Sequence, residues 1–294
     1  MEMIHSIITG NLSTASGCIR LFHGRGNSYP GLEHIVVDYF APNILITLYK
    51  EESEDFLNTF LSYNVENILV QKRYLARPEL YALKGKIPSV AIAIEQNLKF
   101  KLNFGIHQNI GFFLDMAPGR NWLLNNSQDK SVLNLFSYTC SLSISALQGG
   151  ASSVVNFDMS KPALSVGLEN HRLNGIDLKK AKFFPHDIMK SWNKIFSNGP
   201  YDIVVIDPPT NQGDSFKVER DYHKIVKRLK EMTNDNSVIM ACLNSPHLTG
   251  QFLIDLFSEH APEYSVQEII YSAFSSVEKD PEAGLKIVIF KKLN

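Results

Sequence analysis

From Ser131 onward, short β-rich runs alternate with helical stretches, and this regularity constrains the fold more than anything else in the sequence. "SVLNLF" precedes "SLSISALQGG", "SSVVNFD" precedes "KPALSVGLENHRLNG", and "KAKFFPH" precedes "DIMKSWNKIF". "YDIVVID" leads to a helix through "VERDYHKIVKRLKEM", and "SVIMACLN" to "PHLTGQFLIDLFSEH". Strands separated by helices of roughly 10–15 residues predict βαβ units and a mostly parallel sheet. "EYSVQEIIYSA" and "LKIVIFKK" follow one another without a helix, which predicts an antiparallel pair at the sheet's edge. Upstream, "HIVVDYF", "NILITLY", "ENILVQKR", "SVAIAIEQ" and "LKFKLNFG" read as strands and "EDFLNTFLSYN" as a helix. "RPELYALKGKIP" reads as an exposed connection. The expected organisation is a small N-terminal α+β module over residues 1–105 and a Rossmann-like, seven-stranded α/β domain over residues 106–294.

Composition removes several alternatives. The formal net charge is −1, so no global positive field attracts nucleic acid, but residues 71–101 and Phe216–Lys230 are locally basic. Such stretches suit a phosphate backbone and a solvated helix face equally well. The three cysteines, Cys18, Cys140 and Cys242, form no C-x-x-C pair, so neither a metal site nor a disulfide framework is expected. No apolar run reaches the roughly 18 residues of a membrane span. The start "MEMIHSIITG" lacks the basic flank and apolar core of a secretion signal. A cytoplasmic protein is expected.

In a doubly wound sheet, ligands bind beyond the carboxyl ends of the strands. Four such ends carry polar residues: "NLFSYTCS", "NFDMS", "FFPHD" and "IDPPT". The small residues Ser137, Thr139 and Ser141 would allow a ligand near the first turn, although a G-x-G-x-x-G pattern is absent. Asp158 has the offset of an acid that accepts from ribose hydroxyls; it could equally cap the helix after it. Asp187 could accept from an adenine amino group or cap its own helix. Asp207-Pro208-Pro209-Thr210 is stiff and presents carbonyls rather than N–H groups, which suits holding the amino group of a flat base.

Together these segments resemble the class I S-adenosylmethionine-dependent methyltransferases. More narrowly they resemble the family that modifies cytosine C5 or guanine N7 of 23S ribosomal RNA. "RLFHGRGNSYPGLEHIVVDYF", "GIHQNIGFFLDMAPGRNWL", "VLNLFSYTC" and "DPPTNQGDSFKVERDYHKIV" carry the likeness, the last being most like the guanine-N7 branch. The resemblance implies S-adenosylmethionine as cofactor, with contacts from Gln108, Phe112, Ser137, Tyr138, Thr139, Asp158, Met159, Asp187, Ile188 and Asp207. It implies catalytic positions at Asp207, Pro208, Pro209 and Asn244, and RNA as partner. Cys140 stands where that family has glycine, and Asn109, Ile110, Met116 and Ala117 replace its Lys, Thr, Gln and Arg.

The acceptor atom depends on one cysteine. Cytosine C5 is a poor nucleophile, and enzymes acting there attack C6 with a thiolate. The C5 branch of the family that the chain resembles carries this cysteine after the fifth strand; along "SVIMACLNSPHL" the resemblance puts Asn244 at that position, with Cys242 two residues deeper by strand alternation. Guanine N7 already carries a lone pair and needs only alignment. The expected function is direct methyl transfer to a base of RNA. The alternatives are a methyltransferase of a protein or small molecule, and a non-catalytic RNA-binding relative. Arg220 and His223, beyond the corner, suit phosphate contacts or an ordinary solvated helix face.

Overall fold

In this computed structural model, which describes residues 2–105, 109–213 and 215–293, the chain folds into two compact units. One comprises Met1–Leu114 with Ser276–Lys279, the other Asp115–Ser275 with Asp280–Asn294.

The first unit holds a five-stranded sheet in sequential order: β1 (Cys18–His23), β2 (Ile35–Phe40), β3 (Asn43–Leu48), β4 (Asn67–Lys72) and β5 (Glu79–Lys84). β3 and β4 are parallel and the other pairs antiparallel. Alternate residues Ile35, Val37, Ile44, Ile46, Ile68 and Val70 form one buried face. Against it pack Ile4 and Ile8 of α1 (Glu2–Ser13) and Phe56 and Leu57 of α2 (Glu54–Asn58). Ser53 Oγ caps α2 by accepting from the Phe56 N–H. A hairpin of β6 (Ala91–Glu95) and β7 (Leu98–Leu102) completes the strands.

Two features of this unit differ from the sequence expectation. Helix α1 lies ahead of the first helix that the pattern suggested, because Ile4 and Ile8, one turn apart, are fully buried. The stretch read as an exposed connection contains β5, an edge strand with no fully buried residue. Pro78 and Gly85 bracket "ELYALK", and no alternation of apolar and polar residues marks it as a strand.

The second unit is built on a seven-stranded sheet, β10-β9-β8-β11-β14-β16-β15 in spatial order. Its strands are β8 (Ser131–Leu135), β9 (Ser153–Phe157), β10 (Ala181–Phe184), β11 (Tyr201–Ile206), β14 (Thr233–Asn244), β15 (Tyr264–Tyr271) and β16 (Leu285–Lys292). The first five in that order are parallel, and β16 runs antiparallel to both neighbours. "YDIVVI" is apolar on both faces because helices cover both sides. Val204 and Ile206 join one core cluster and Ile203 and Val205 the other. The crossover elements are α3 (Ala117–Asn126), which leads into β8, then α4 (Ser141–Gln148), α5 (Lys161–Leu173) and α6 (Trp192–Phe196). After β11 come a two-rung ribbon, β12 (Asn211–Gln212) with β13 (Phe216–Lys217), and helices α7 (Val218–Val226), α8 (Leu229–Met232) and α9 (Gly250–His260). Strand order reverses at β8, the position at which such sheets open a crevice.

Candidate functional site

Register brings the polar strand ends to one level. Ile206 pairs with Leu135, Leu135 with Phe157, and Phe157 with Phe184. Phe136, Asp158 and Asp207 therefore each stand one residue beyond the last paired position of three parallel strands. Two strand spacings of about 4.8 Å separate the rows of Asp158 and Asp207. Asn244 ends β14, three residues beyond Ala241, the partner of Ile206.

The turn after β8 is held by its own acceptors. Phe136, Tyr138 and Cys140 have φ values of 59°, 46° and 63°, a left-handed alternation uncommon for side-chain-bearing residues. Asp158 secures it: one carboxylate oxygen accepts from the Tyr138 N–H at 2.8 Å and the other from the Ser160 N–H at 2.7 Å. The Ser137 N–H and Oγ both donate to Phe157 O, and the Cys140 N–H donates to Ser137 O. Ser137 and Thr139 are buried, whereas Tyr138 stays half-exposed. The turn thus presents an aromatic side chain and a bonded carboxylate, and the serine faces inward. Burial raises the Asp158 pKa, against the lowering effect of the two N–H donors.

Cys140 is directed away from the strand ends. Its side chain is fully buried toward α5, and a Cβ added to Gly167 would lie 2.6 Å from Cys140 Sγ. The absence of a side chain at Gly167 makes room for the Cys140 side chain. Burial pushes the thiol pKa far up.

At the Pro-Pro corner, Asp207 lies among charged neighbours. Burial of its carboxyl, then the nearby Asp115 charge, push its pKa up to about 7, while Arg120 pulls the other way. Arg120, on α3, is 2% exposed. Neither Asp115 nor Arg120 stands out in sequence; the signal was an acid and a base in the otherwise weakly polar "LDMAPGR". Thr210 Oγ1 donates to Asn244 O at 2.5 Å, tying the corner to the end of β14. Lys286, fully buried on β16, donates to Ser245 O at 2.6 Å and to Glu282 O at 2.7 Å, fixing the next turn. Its role is also invisible in "LKIVIFKK". Cys242 is fully buried, and burial raises its thiol pKa well above the ordinary value. Asn244 is exposed.

The remaining candidates divide. Met159 is exposed beside Asp158, whereas Ile188 belongs to the apolar core. Asp187 caps the turn after it, accepting from the Met189 N–H at 2.9 Å, and Lys190 Nζ stands 3.5 Å away. Phe112 lies in the first unit, its ring stacked on Phe100 at 4.6 Å. Gln108 falls outside the described residues. Among the described residues no cluster of His, Cys, Asp and Glu could hold a metal ion, and no helix is long and apolar enough to cross a membrane.

The profile described as S-adenosylmethionine-dependent methyltransferase matches residues 19–291. Ribosomal RNA large subunit methyltransferase I of Aeromonas salmonicida (strain A449) is 34% identical over 149 residues, covering 50% of this chain and 38% of that protein. Its namesake from Enterobacter sp. (strain 638) is 28% identical over 263 residues, covering 84% of this chain and 65% of the relative. The chain thus spans from about two fifths to about two thirds of the length of these relatives. SMU.776, described as a methyltransferase and crystallised with SAH, superposes with a TM-score of 0.86 at 21% identity, covering 98% of this chain and 81% of that one. At that identity the likeness is one of fold.

Proposed function

The chain belongs to the S-adenosylmethionine-dependent methyltransferase family, and on that premise we propose that it transfers a methyl group from S-adenosylmethionine to a base of ribosomal RNA. The donor set fits the cofactor's chemistry. Asp158 keeps further lone pairs on both oxygens for the hydroxyls of a ribose. Tyr138 and Met159 offer apolar surface to a flat base or to the carbon next to the sulfonium. Asp207, at the far side of the β8 turn, supplies negative charge where the cationic sulfur would sit. Asp187 Oδ2, 3.5 Å from the exposed Lys190 Nζ, has a lone pair for an adenine amino group, while Oδ1 accepts from the Met189 N–H. The names of the curated relatives support RNA as the acceptor, and the cytoplasm is the compartment that this substrate implies.

The observation that carries the mechanism is the burial of Cys242 beneath the Asp207 corner. A thiol held neutral and sealed from solvent is no nucleophile. The step that fits is direct: an acceptor lone pair attacks the methyl carbon as its bond to sulfur breaks, with the electron pair leaving on sulfur. In this step Asp207, Pro208, Pro209 and Asn244 orient the acceptor, and the stiff corner limits its motion. A guanine N7 needs no proton removed, in keeping with the likeness of the corner to the guanine-N7 branch. Calorimetry tests the cofactor role. Asp207 favours a cation only as carboxylate, so the preference for S-adenosylmethionine over neutral SAH should grow as pH rises from 6 to 8. A pH-independent preference, or no binding of either, contradicts the proposal.

A further inference from the structure

Two adjoining grooves on the second unit share Met189 and Trp192 as a common wall. One, of about 470 Å³, follows the segment from His186 to Lys194; the other, of about 530 Å³, borders α7 and the two residues after it, Lys227 and Arg228. Among the described residues their walls carry six lysines and arginines, two on the first and four on the second, against one acid, Asp221. That acid is buried and organises the cations around it. It accepts from Arg220 at 2.6 Å and from Lys224 at 2.7 Å, while those side chains remain 49% and 50% exposed. Arg228 is shared with the exposed Glu231 at 3.1 Å, and its guanidinium stands 5.8 Å from the Trp192 ring. Lys194 and Lys227 are exposed. The field registers on His223, whose pKa is lowered by burial and then by Lys227, His260 and Lys224.

Both walls begin at the edge of the sheet where the candidate site lies. The first starts next to Asp187, beyond β10. The second includes Ser215, in the ribbon that follows the Pro-Pro corner, and Phe216 packs edge-on against Phe136 at 4.9 Å. A half-buried flat aromatic flanked on two sides by cations is the arrangement that holds a nucleotide strand: phosphates to the cations, a base to the ring. An acidic peptide would use the charges and leave the aromatic wall without a role.

We propose that this joined groove is the track for a single-stranded segment of the RNA substrate, with phosphates at Lys194 and Lys227 and a base stacked on Trp192. The inference rests on the RNA-methyltransferase assignment above and adds the surface that feeds its site. Its test is fluorescence anisotropy of a labelled, single-stranded 12-nucleotide oligoadenylate, with Lys194→Glu/Lys227→Glu as the variant. The double variant should bind at least tenfold more weakly in low salt. Each phosphate contact on single-stranded nucleic acid contributes about 0.7 to the log–log salt slope, so the slope should fall by about 1.4. In the Trp122→Phe background, where Trp192 is the remaining tryptophan, the oligonucleotide should quench its fluorescence. Wild-type binding by the double variant, absence of quenching, or equal displacement by polyglutamate would overturn the track. S-adenosylmethionine calorimetry on the same preparations separates the two failures. Intact cofactor binding with unchanged RNA affinity sinks the groove alone, whereas absent cofactor binding sinks the methyltransferase assignment.

Discussion

Asp158 and Asp207 are both carboxylates at strand ends, yet their surroundings ask different things of them. Asp158 is committed to two backbone N–H groups, one of which fixes the β8 turn. Asp158→Ala should therefore weaken S-adenosylmethionine binding about 10- to 100-fold, the equivalent of losing about 1.5–3 kcal/mol of charge-assisted bonding; calorimetry reads this directly. Asp207 is the titrating group. Its pKa in the folded chain is about 7, against 3.8 for the free side chain, so between those values the folded state holds a proton that the unfolded state has lost. That contribution to stability is complete below pH 4 and disappears as pH rises through 7. Asp207→Asn should match the wild type in thermal midpoint near pH 4 and exceed it above pH 7. A constant difference from pH 4 to 8.5 would contradict the burial of a proton at this corner. The sequence indicated the acids themselves through their offsets from apolar runs. It gave no sign that burial, followed by the nearby Asp115 and Arg120 charges, sets the protonation of Asp207, because the approach of Leu114–Met116 and α3 to a strand end leaves no local pattern.

Between the elements, the α4–α5 contact shows how a departure at one position is accommodated at another. Cys140 holds a left-handed conformation that costs an L-residue roughly 1 kcal/mol, and its side chain fills the space that Gly167 leaves open. In an ordinary helix a Gly→Ala change stabilises by about 1 kcal/mol. Here the new Cβ meets sulfur, so Gly167→Ala should destabilise by about 1–3 kcal/mol. The same change in a Cys140→Gly background should cost less or even stabilise, and denaturant unfolding of the four proteins measures the coupling. Additivity across the cycle would show that the two residues are independent. The strand and helix pattern of the second unit was legible because each βαβ element carries its own periodicity. β5 and α1 were not. β5 buries none of its residues fully, so no alternation shows, and α1 declares itself through Ile4 and Ile8, whose burial depends on the sheet that follows it.

In the molecule as a whole, the parallel order β10-β9-β8-β11-β14 converts acids scattered over fifty residues of sequence from Asp158 into one rim. Topology of this kind is readable from alternation alone. What alternation cannot supply is the direction of each side chain: Ser137 and Ile188 stand at expected positions and face the interior. The cysteine beneath the corner was legible, because alternation already set Cys242 two residues deeper than Asn244, and its burial separates direct from covalent transfer. Cys242→Ser should accordingly retain methyl transfer within a few-fold of wild type, since neither thiol nor hydroxyl takes part. The most direct test of the whole account is incubation with unmodified ribosomal RNA and S-adenosylmethionine bearing a trideuterated methyl group, followed by mass spectrometry of the nucleosides. The account predicts one methylated nucleoside that keeps all three deuterons, formed equally by the Cys242→Ser protein. RNA left unlabelled by a protein that binds the cofactor, or a product that disappears in a folded Cys242→Ser protein, would contradict it.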